Sequence, residues 1–222
     1  MADLTPLLAV RWSPLAFDPT AELTAAEASA LLEAARWAPS HGNVQPWRFA
    51  LGRRDDETGK RILANLPARD QRWARHAAAL LVAAHLADPP ATAPPAATAA
   101  PGTAPVDAFE AVDAEAFEAA PVDAFRITPA DAFEAGQRRA YDLGQAVAHL
   151  SVQATALGLY VHQLVDVDHA GLAADLDLPA EVRPHAVVAI GRLGDPFALP
   201  ADLLHRETGL RRRHRVADLM LR

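Results

Sequence analysis

Apolar residues recur along this chain at two spacings, and those spacings lay out its elements. Residues 4–10 are apolar and short, enough for one or two helical turns before Arg11-Trp12-Ser13-Pro14. Thr24-Ala25-Ala26-Glu27 has the form of a capping box, with the Thr hydroxyl on a backbone amide and Glu27 reaching back. Ala28, Leu31, Leu32 and Ala35 follow as one helical stripe, which runs to about Trp37 before Pro39 stops it. Residues 47–52 predict a strand. Residues 55 to about 66 predict a second amphipathic helix, with Ile62, Leu63 and Leu66 inward. Residues 77–86 are a continuous apolar run of strand length, as in a strand buried on both faces. The strongest helical pattern lies within 136–158, where Leu143, Val147, Leu150, Ala154 and Leu157 step by four and three. Gly158 suits its C-terminal cap. Tyr160–Leu164 predicts a strand, 168 to about 176 a short helix, and 186–192 another buried strand.

Two stretches break this order. Residues 88–105 hold six prolines among Ala and Thr and read as a linker or long loop. Then Phe109, Phe117, Phe125 and Phe133 recur every eight residues, each preceded by Asp-Ala or Glu-Ala. Eight residues advance a helix by two turns plus about 80°, so the rings would spiral around it. Even spacing would align them on one side of a strand, but the Ala-rich acidic composition is poor for one. Two readings stand: a local duplication in a tolerant surface insertion, or a lid or partner-docking segment.

The second stretch is Pro39-Ser40-His41-Gly42-Asn43-Val44-Gln45-Pro46. Gly42 and Asn43 tolerate positive φ, and Pro46 favours extended backbone at Gln45. The turn formers between helix and strand predict a short loop that presents Ser40, His41, Asn43 and backbone N–H groups together.

Charge and composition narrow the classes. The net charge of −7 is carried by 106–135, which holds eight acidic residues against Arg126. The remainder balances, and no basic face for general nucleic-acid binding is evident. There is no cysteine, hence no disulfide, thiolate metal site or Cys nucleophile. The N-terminus lacks a basic region followed by an apolar core, and no run is long enough to span a bilayer. The expectation is a soluble cytoplasmic protein without a metal. Lys60 is the only lysine; with abundant Ala, the Arg bias reads as a GC-rich bacterial genome. P-loop, Rossmann and nucleophile-elbow motifs are missing, and the histidines show no tight ligand spacing. Two basic clusters stand at opposite ends, Arg11 with Ser13 and Arg211-Arg212-Arg213. Guanidinium forks with a hydroxyl suit a phosphate monoester, although solvated surface charge has the same composition.

In order along the chain, several segments carry a resemblance. They are Arg11-Trp12-Ser13-Pro14-Leu15, Glu33-Ala34-Ala35-Arg36-Trp37-Ala38-Pro39-Ser40, Asn43-Val44-Gln45-Pro46-Trp47, Asp70-Gln71, Asp142-Leu143-Gly144-Gln145-Ala146, Ala156-Leu157-Gly158-Leu159, His162-Gln163, Leu178-Pro179, Ala189-Ile190-Gly191 and Arg211-Arg212-Arg213. Together they resemble the nitroreductase family of FMN-dependent oxidoreductases, over all of the chain except about 88–135. The resemblance implies an α+β fold, a central mostly antiparallel sheet wrapped by helices, in an intertwined homodimer. Residues 1–222 would form one such domain, with 88–135 inserted and 206–222 a C-terminal arm over the other subunit. It implies FMN as cofactor, NAD(P)H as donor and a nitroaromatic or quinone as acceptor, in a ping-pong hydride mechanism. The flavin carries the chemistry, so no catalytic side chain is implied. Arg11 and Ser13 would hold phosphate or ribityl oxygens, with Trp12 beside them, and Arg211 and Arg213 would bind phosphate. Pro39, Ser40 and His41 would come from the partner subunit, with Asn43 and Gln45 bracing their loop. Leu15, Asp70, Leu164, Val165 and Asp166 would lie at the ring. Three of these positions depart from the family pattern: Leu15 stands for a cation, Asp70 for an Asn, and Val165-Asp166 for Gly-Gly. They keep two alternatives open: a specialised flavin-dependent dehydrogenase of the same fold, or a non-catalytic relative serving as a flavin-binding or structural dimer.

Overall fold

A computed structural model describes residues 4–87 and 129–221. The Pro-rich stretch and Phe109, Phe117 and Phe125 lie outside the described residues. The elements are α1 (Pro6–Val10), α2 (Ala25–Arg36), β1 (Trp47–Arg53), α3 (Glu57–Ala64), α4 (Ala68–Ala74), β2 (Ala79–Leu86), α5 (Pro129–Ala156), β3 (Tyr160–Leu164), α6 (His169–Asp175), β4 (Val182–Gly191) and α7 (Ala201–Glu207).

The local chemistry accounts for most of these bounds. The α2 capping box forms in full: Glu27 N–H donates to Thr24 Oγ1 at 3.1 Å, and Thr24 N–H to Glu27 Oε2 at 2.9 Å. Asp56 caps α3 by accepting from Gly59 N–H at 2.6 Å, and Asp168 caps α6 by accepting from Gly171 N–H at 2.9 Å. Gly158 leaves α5 at φ 69°, the left-handed cap that glycine adopts without strain. Helix α5 starts at Pro129, seven residues before the expected segment, so the end of the expected insertion is already helical. Helices α4 and α7 were not expected. Each has seven residues and follows a proline, without the capping side chain that marks α6, a helix of the same length.

The sheet is antiparallel throughout, in the order β1-β2-β4-β3. Strand β4 starts four residues earlier than expected, because a bulge lets Pro184 into the ladder. Ala83 pairs with Ala186 and Ala84 with Pro184, which leaves His185 as the extra residue. Helices cover both faces, so this is an α+β fold whose central strands are buried on each side. On one face, Leu81, Ala83, Val161, Val188 and Ile190 pack with Leu31 and Ala35 of α2 and Leu143, Val147 and Leu150 of α5. On the other, Leu80, Val82, Leu164, Val187 and Ala189 pack with Ile62 of α3, Trp73 of α4, Leu172 of α6 and Leu203 of α7. Leu15 and Phe17, from the segment after α1, complete this second core. Each such fully buried Leu or Ile contributes about 1.5–3 kcal/mol. Among the described residues, no helix is long and apolar enough to cross a membrane.

Candidate functional site

The chain ends meet on the second face. After α1 the backbone bends at Leu15, and Glu207, the last residue of α7, grips it there. Leu15 N–H donates to Glu207 Oε2 at 2.7 Å and Ala16 N–H to Oε1 at 3.1 Å. Four residues later Arg211 grips the same segment from its other side. Its guanidinium donates to the carbonyls of Arg11 at 2.5 Å and Ala9 at 2.7 Å. These four bonds tie residues about two hundred positions apart and leave a cavity of ≈ 280 Å³ between them. Arg11, Ser13, His162, Arg206 and Arg213 are among its lining residues, with Trp12 and Leu15.

The electrostatics of this cavity are one-sided. Arg11 donates to Ser13 Oγ at 3.5 Å, and Arg213 to the Arg212 carbonyl at 2.9 Å. Among the described residues, no carboxylate lies within ion-pair distance of Arg11, Arg206, Arg211 or Arg213, and both Glu207 oxygens are spent on amides. Partial burial pulls the Arg11 pKa below its ordinary value, and the charges of Arg211 and Arg213 add to that. Such a cluster is relieved by an anion.

The loop before β1 builds a different place. Gly42 and Asn43 both have φ 56°, as expected of them. Gln45 has φ 51°, which corrects the expectation of extended backbone before Pro46. The reason lies in Ser40, whose Oγ accepts the Gln45 N–H at 3.0 Å and pulls the chain back on itself. Gln45 Nε2 also donates to Asn43 Oδ1 at 3.2 Å, so these two side chains brace the loop. The His41 N–H donates to Asp142 of α5 at 3.1 Å. Pro39, Ser40 and His41 line a second cavity of ≈ 550 Å³ with Gln137, Arg138 and Tyr141 of α5, and none of the three lines the first.

A third arrangement concerns the acids. Asp70 is buried on α4 and accepts from Trp73 Nε1 at 3.3 Å and from Arg69 Nε at 3.2 Å. The far end of Arg69 pairs with Asp166, in the turn after β3. Hydrogen bonds to Asp166 and then Asp70 raise the Arg69 pKa. Val165 beside them is exposed, and Leu164 is in the core. None of these residues lines the first cavity.

The sequence model of the nitroreductase family matches residues 8–192. The chain belongs to the nitroreductase family. Among solved structures, an oxidoreductase containing FMN is 26% identical, with a TM-score of 0.72 over 99% of this chain and 91% of that one. A protein from Desulfovibrio desulfuricans, named as a nitroreductase and solved in complex with FMN, is 21% identical with a TM-score of 0.65. It covers 99% of this chain and 98% of its own. A nitroreductase family protein from Streptococcus pneumoniae shares the fold at 14% identity and a TM-score of 0.67, over 97% and 98% of the two chains. No curated protein matches the sequence.

Within this nitroreductase, the structure joins Arg11, Trp12, Ser13, Leu15, Arg211 and Arg213 in one cavity and keeps the Ser40 loop and the Asp70–Asp166 wall outside it. The family match ends at 192, so the C-terminal wall of that cavity falls beyond it. Arg206 and Glu207 were not among the expected site residues, and His162 entered only as part of the segment His162-Gln163, without a role. His162 carried one faint signal, since Tyr160, His162 and Leu164 alternate onto one face of β3. Glu207 carried none, because its partners are backbone amides 191 and 192 residues away.

Proposed function

We propose that this nitroreductase is a homodimeric FMN-dependent oxidoreductase, taking electrons from NAD(P)H and passing them to an electron-poor nitroaromatic or quinone. The observation that carries the reading is the first cavity. Four arginines and Ser13 converge there without a carboxylate partner among the described residues, which fits a phosphate monoester. Relatives of the same fold, as their names state, contain FMN.

In this reading Arg11, Ser13, Arg211 and Arg213 hold the phosphate end. Trp12, set edge-on to Tyr160 at 6.3 Å, and the buried Leu15 give the apolar wall. FMN held by these residues would supply two-electron hydride chemistry between NAD(P)H and the acceptor. The protein binds, orients and excludes water, and no side chain is needed as nucleophile. Within one chain the cavity is ≈ 280 Å³, below the usual range of about 300–1,000 Å³ for ligand pockets. A further wall is therefore required, and we assign it to Pro39, Ser40, His41 and Asn43 of a second copy, with the arm 206–222 reaching across the interface. The exposed Leu210, Val216, Leu219, Met220 and Leu221 of that arm suit docking on an apolar surface.

The absorbance spectrum of the purified protein tests this reading. We expect flavin bands, bound or regained with added FMN, that bleach with NADH or NADPH and return with a quinone. A colourless protein that takes up no FMN overturns the flavin assignment. A yellow protein that neither nucleotide bleaches overturns the reductase and leaves a flavin-binding protein.

A further inference from the structure

The polar groups around the first cavity are almost all donors. The guanidinium groups of Arg11, Arg206, Arg211 and Arg213 and the Trp12 indole can only donate. The Glu207 carboxylate is occupied by two amides. His162 differs. Its Nδ1 lies 2.9 Å from the Pro14 carbonyl oxygen, and a carbonyl only accepts, so Nδ1 carries a proton. A neutral ring then leaves Nε2 with a free lone pair. No described residue bonds to Nε2, and no buried polar atom among the described residues lacks a partner, so Nε2 is accessible. The ring is held in place by Trp73, with centroids 4.6 Å apart, and Trp73 is held in turn by Asp70.

Burial, the largest cause, lowers the His162 pKa, and the nearby Arg206 adds to this. The Pro14 bond and the charges of Asp70 and Glu207 oppose it, and the net direction is down. The charged groups around the ring are therefore Arg206 and Glu207 at the end of α7, Asp70 on α4, and the cavity arginines Arg11, Arg211 and Arg213. At neutral pH the ring stays uncharged and keeps its acceptor.

We propose that His162 is a ligand-positioning residue of this site, its Nε2 accepting a hydrogen bond from an N–H or O–H of the bound flavin nucleotide. The inference rests on the FMN reading and narrows it. The cavity asks for a ligand that is anionic at one end and carries a donor within reach of His162. FMN has both, with ribityl hydroxyls and a ring imide N–H beside its phosphate.

Asparagine separates this role from a structural one. An Asn amide nitrogen takes the place of Nδ1 and keeps the bond to Pro14, but offers nothing where Nε2 stood. FMN binding to the full chain is followed by quenching of flavin fluorescence between pH 5.5 and 8, with melting temperatures alongside. We expect His162→Asn to weaken FMN binding about three- to tenfold at pH 8, the size of one neutral hydrogen bond, with Tm unchanged. Protonation of Nε2 on acidification removes the acceptor, so the ratio of wild-type to His162→Asn affinity depends on pH. The FMN phosphate titrates alike in both proteins, so the difference isolates His162. His162→Phe loses both bonds and lowers Tm as well. Equal FMN affinity of wild type and His162→Asn at every pH overturns the role of His162 and leaves the flavin reading intact. A wild type that binds no FMN overturns both.

Discussion

Arg11 and Arg69 stand in opposite electrostatic settings. Arg69 lies between two carboxylates, Asp70 and Asp166, and its pKa is raised. Arg11 faces Arg211 and Arg213, and its pKa is lowered. A satisfied arginine is a strut, and a repelled one is an open demand for an anion. The comparison recasts the residues that depart from the family pattern. One guanidinium, that of Arg69, pairs with both Asp70 and Asp166. Leu15 has its side chain in the core and its N–H held by Glu207.

The sharpest way to break this comparison is to remove charge from each side in turn. Arg11→Ala with Arg213→Ala is expected to weaken FMN binding about a hundredfold or more, as loss of two charge-assisted contacts, with little change in Tm. Equilibrium titration at low and high salt checks it, and an affinity within threefold of wild type would refute the anion site. Arg69→Gln is expected to do the reverse. Tm falls, because the buried Asp70 loses a partner, while FMN affinity stays within about threefold.

Acidification probes the seam between the two regions, where His162 lines the cavity and packs on Trp73. His162, His185 and His76 all have lowered pKa values, with burial the largest cause in each. The unfolded chain, with ordinary histidine pKa values of about 6.5, takes up protons first as the pH falls. Stability is therefore full above that value and is lost as the pH drops from there toward the folded pKa values. We expect Tm to fall between pH 7 and 5, and His162→Asn to flatten part of that slope. A Tm that rises on acidification would contradict the sign.

The smallest effect is expected away from both regions. Thr24→Ala removes the α2 cap and should cost about 1 kcal/mol in denaturant unfolding, with FMN affinity unchanged. A change in affinity would mean that helix α2 positions the site more directly than its contacts imply.

The main elements are legible in the sequence because their signals are local. The α2 box spans four residues, the α5 stripe repeats every three or four, and β2 is one apolar run. Half of the first cavity is legible too, since Arg11, Ser13, Arg211 and Arg213 stand out as clusters suited to phosphate. Not legible are α4 and α7, which lack a capping side chain, and the early start of β4, which depends on a bulge across from Ala83 and Ala84. Gln45 departs from its expectation, because the preference of a residue before proline lost to the pull of the Ser40 hydroxyl.

By itself, then, the amino-acid order determined the longer and side-chain-capped helices, the buried strands, the existence of a loop at 39–46 and the family. Those features rest on periodicities and caps within a few residues of one another. Tertiary structure alone decided which charges are satisfied and which are left for a ligand. Glu207 reaches Leu15, Arg211 reaches Arg11, Arg69 reaches Asp166 and His162 reaches Pro14 only after the sheet has brought the chain ends together. A guanidinium reads the same in any sequence. Its role depends on which oxygens the fold places within about 3 Å of it.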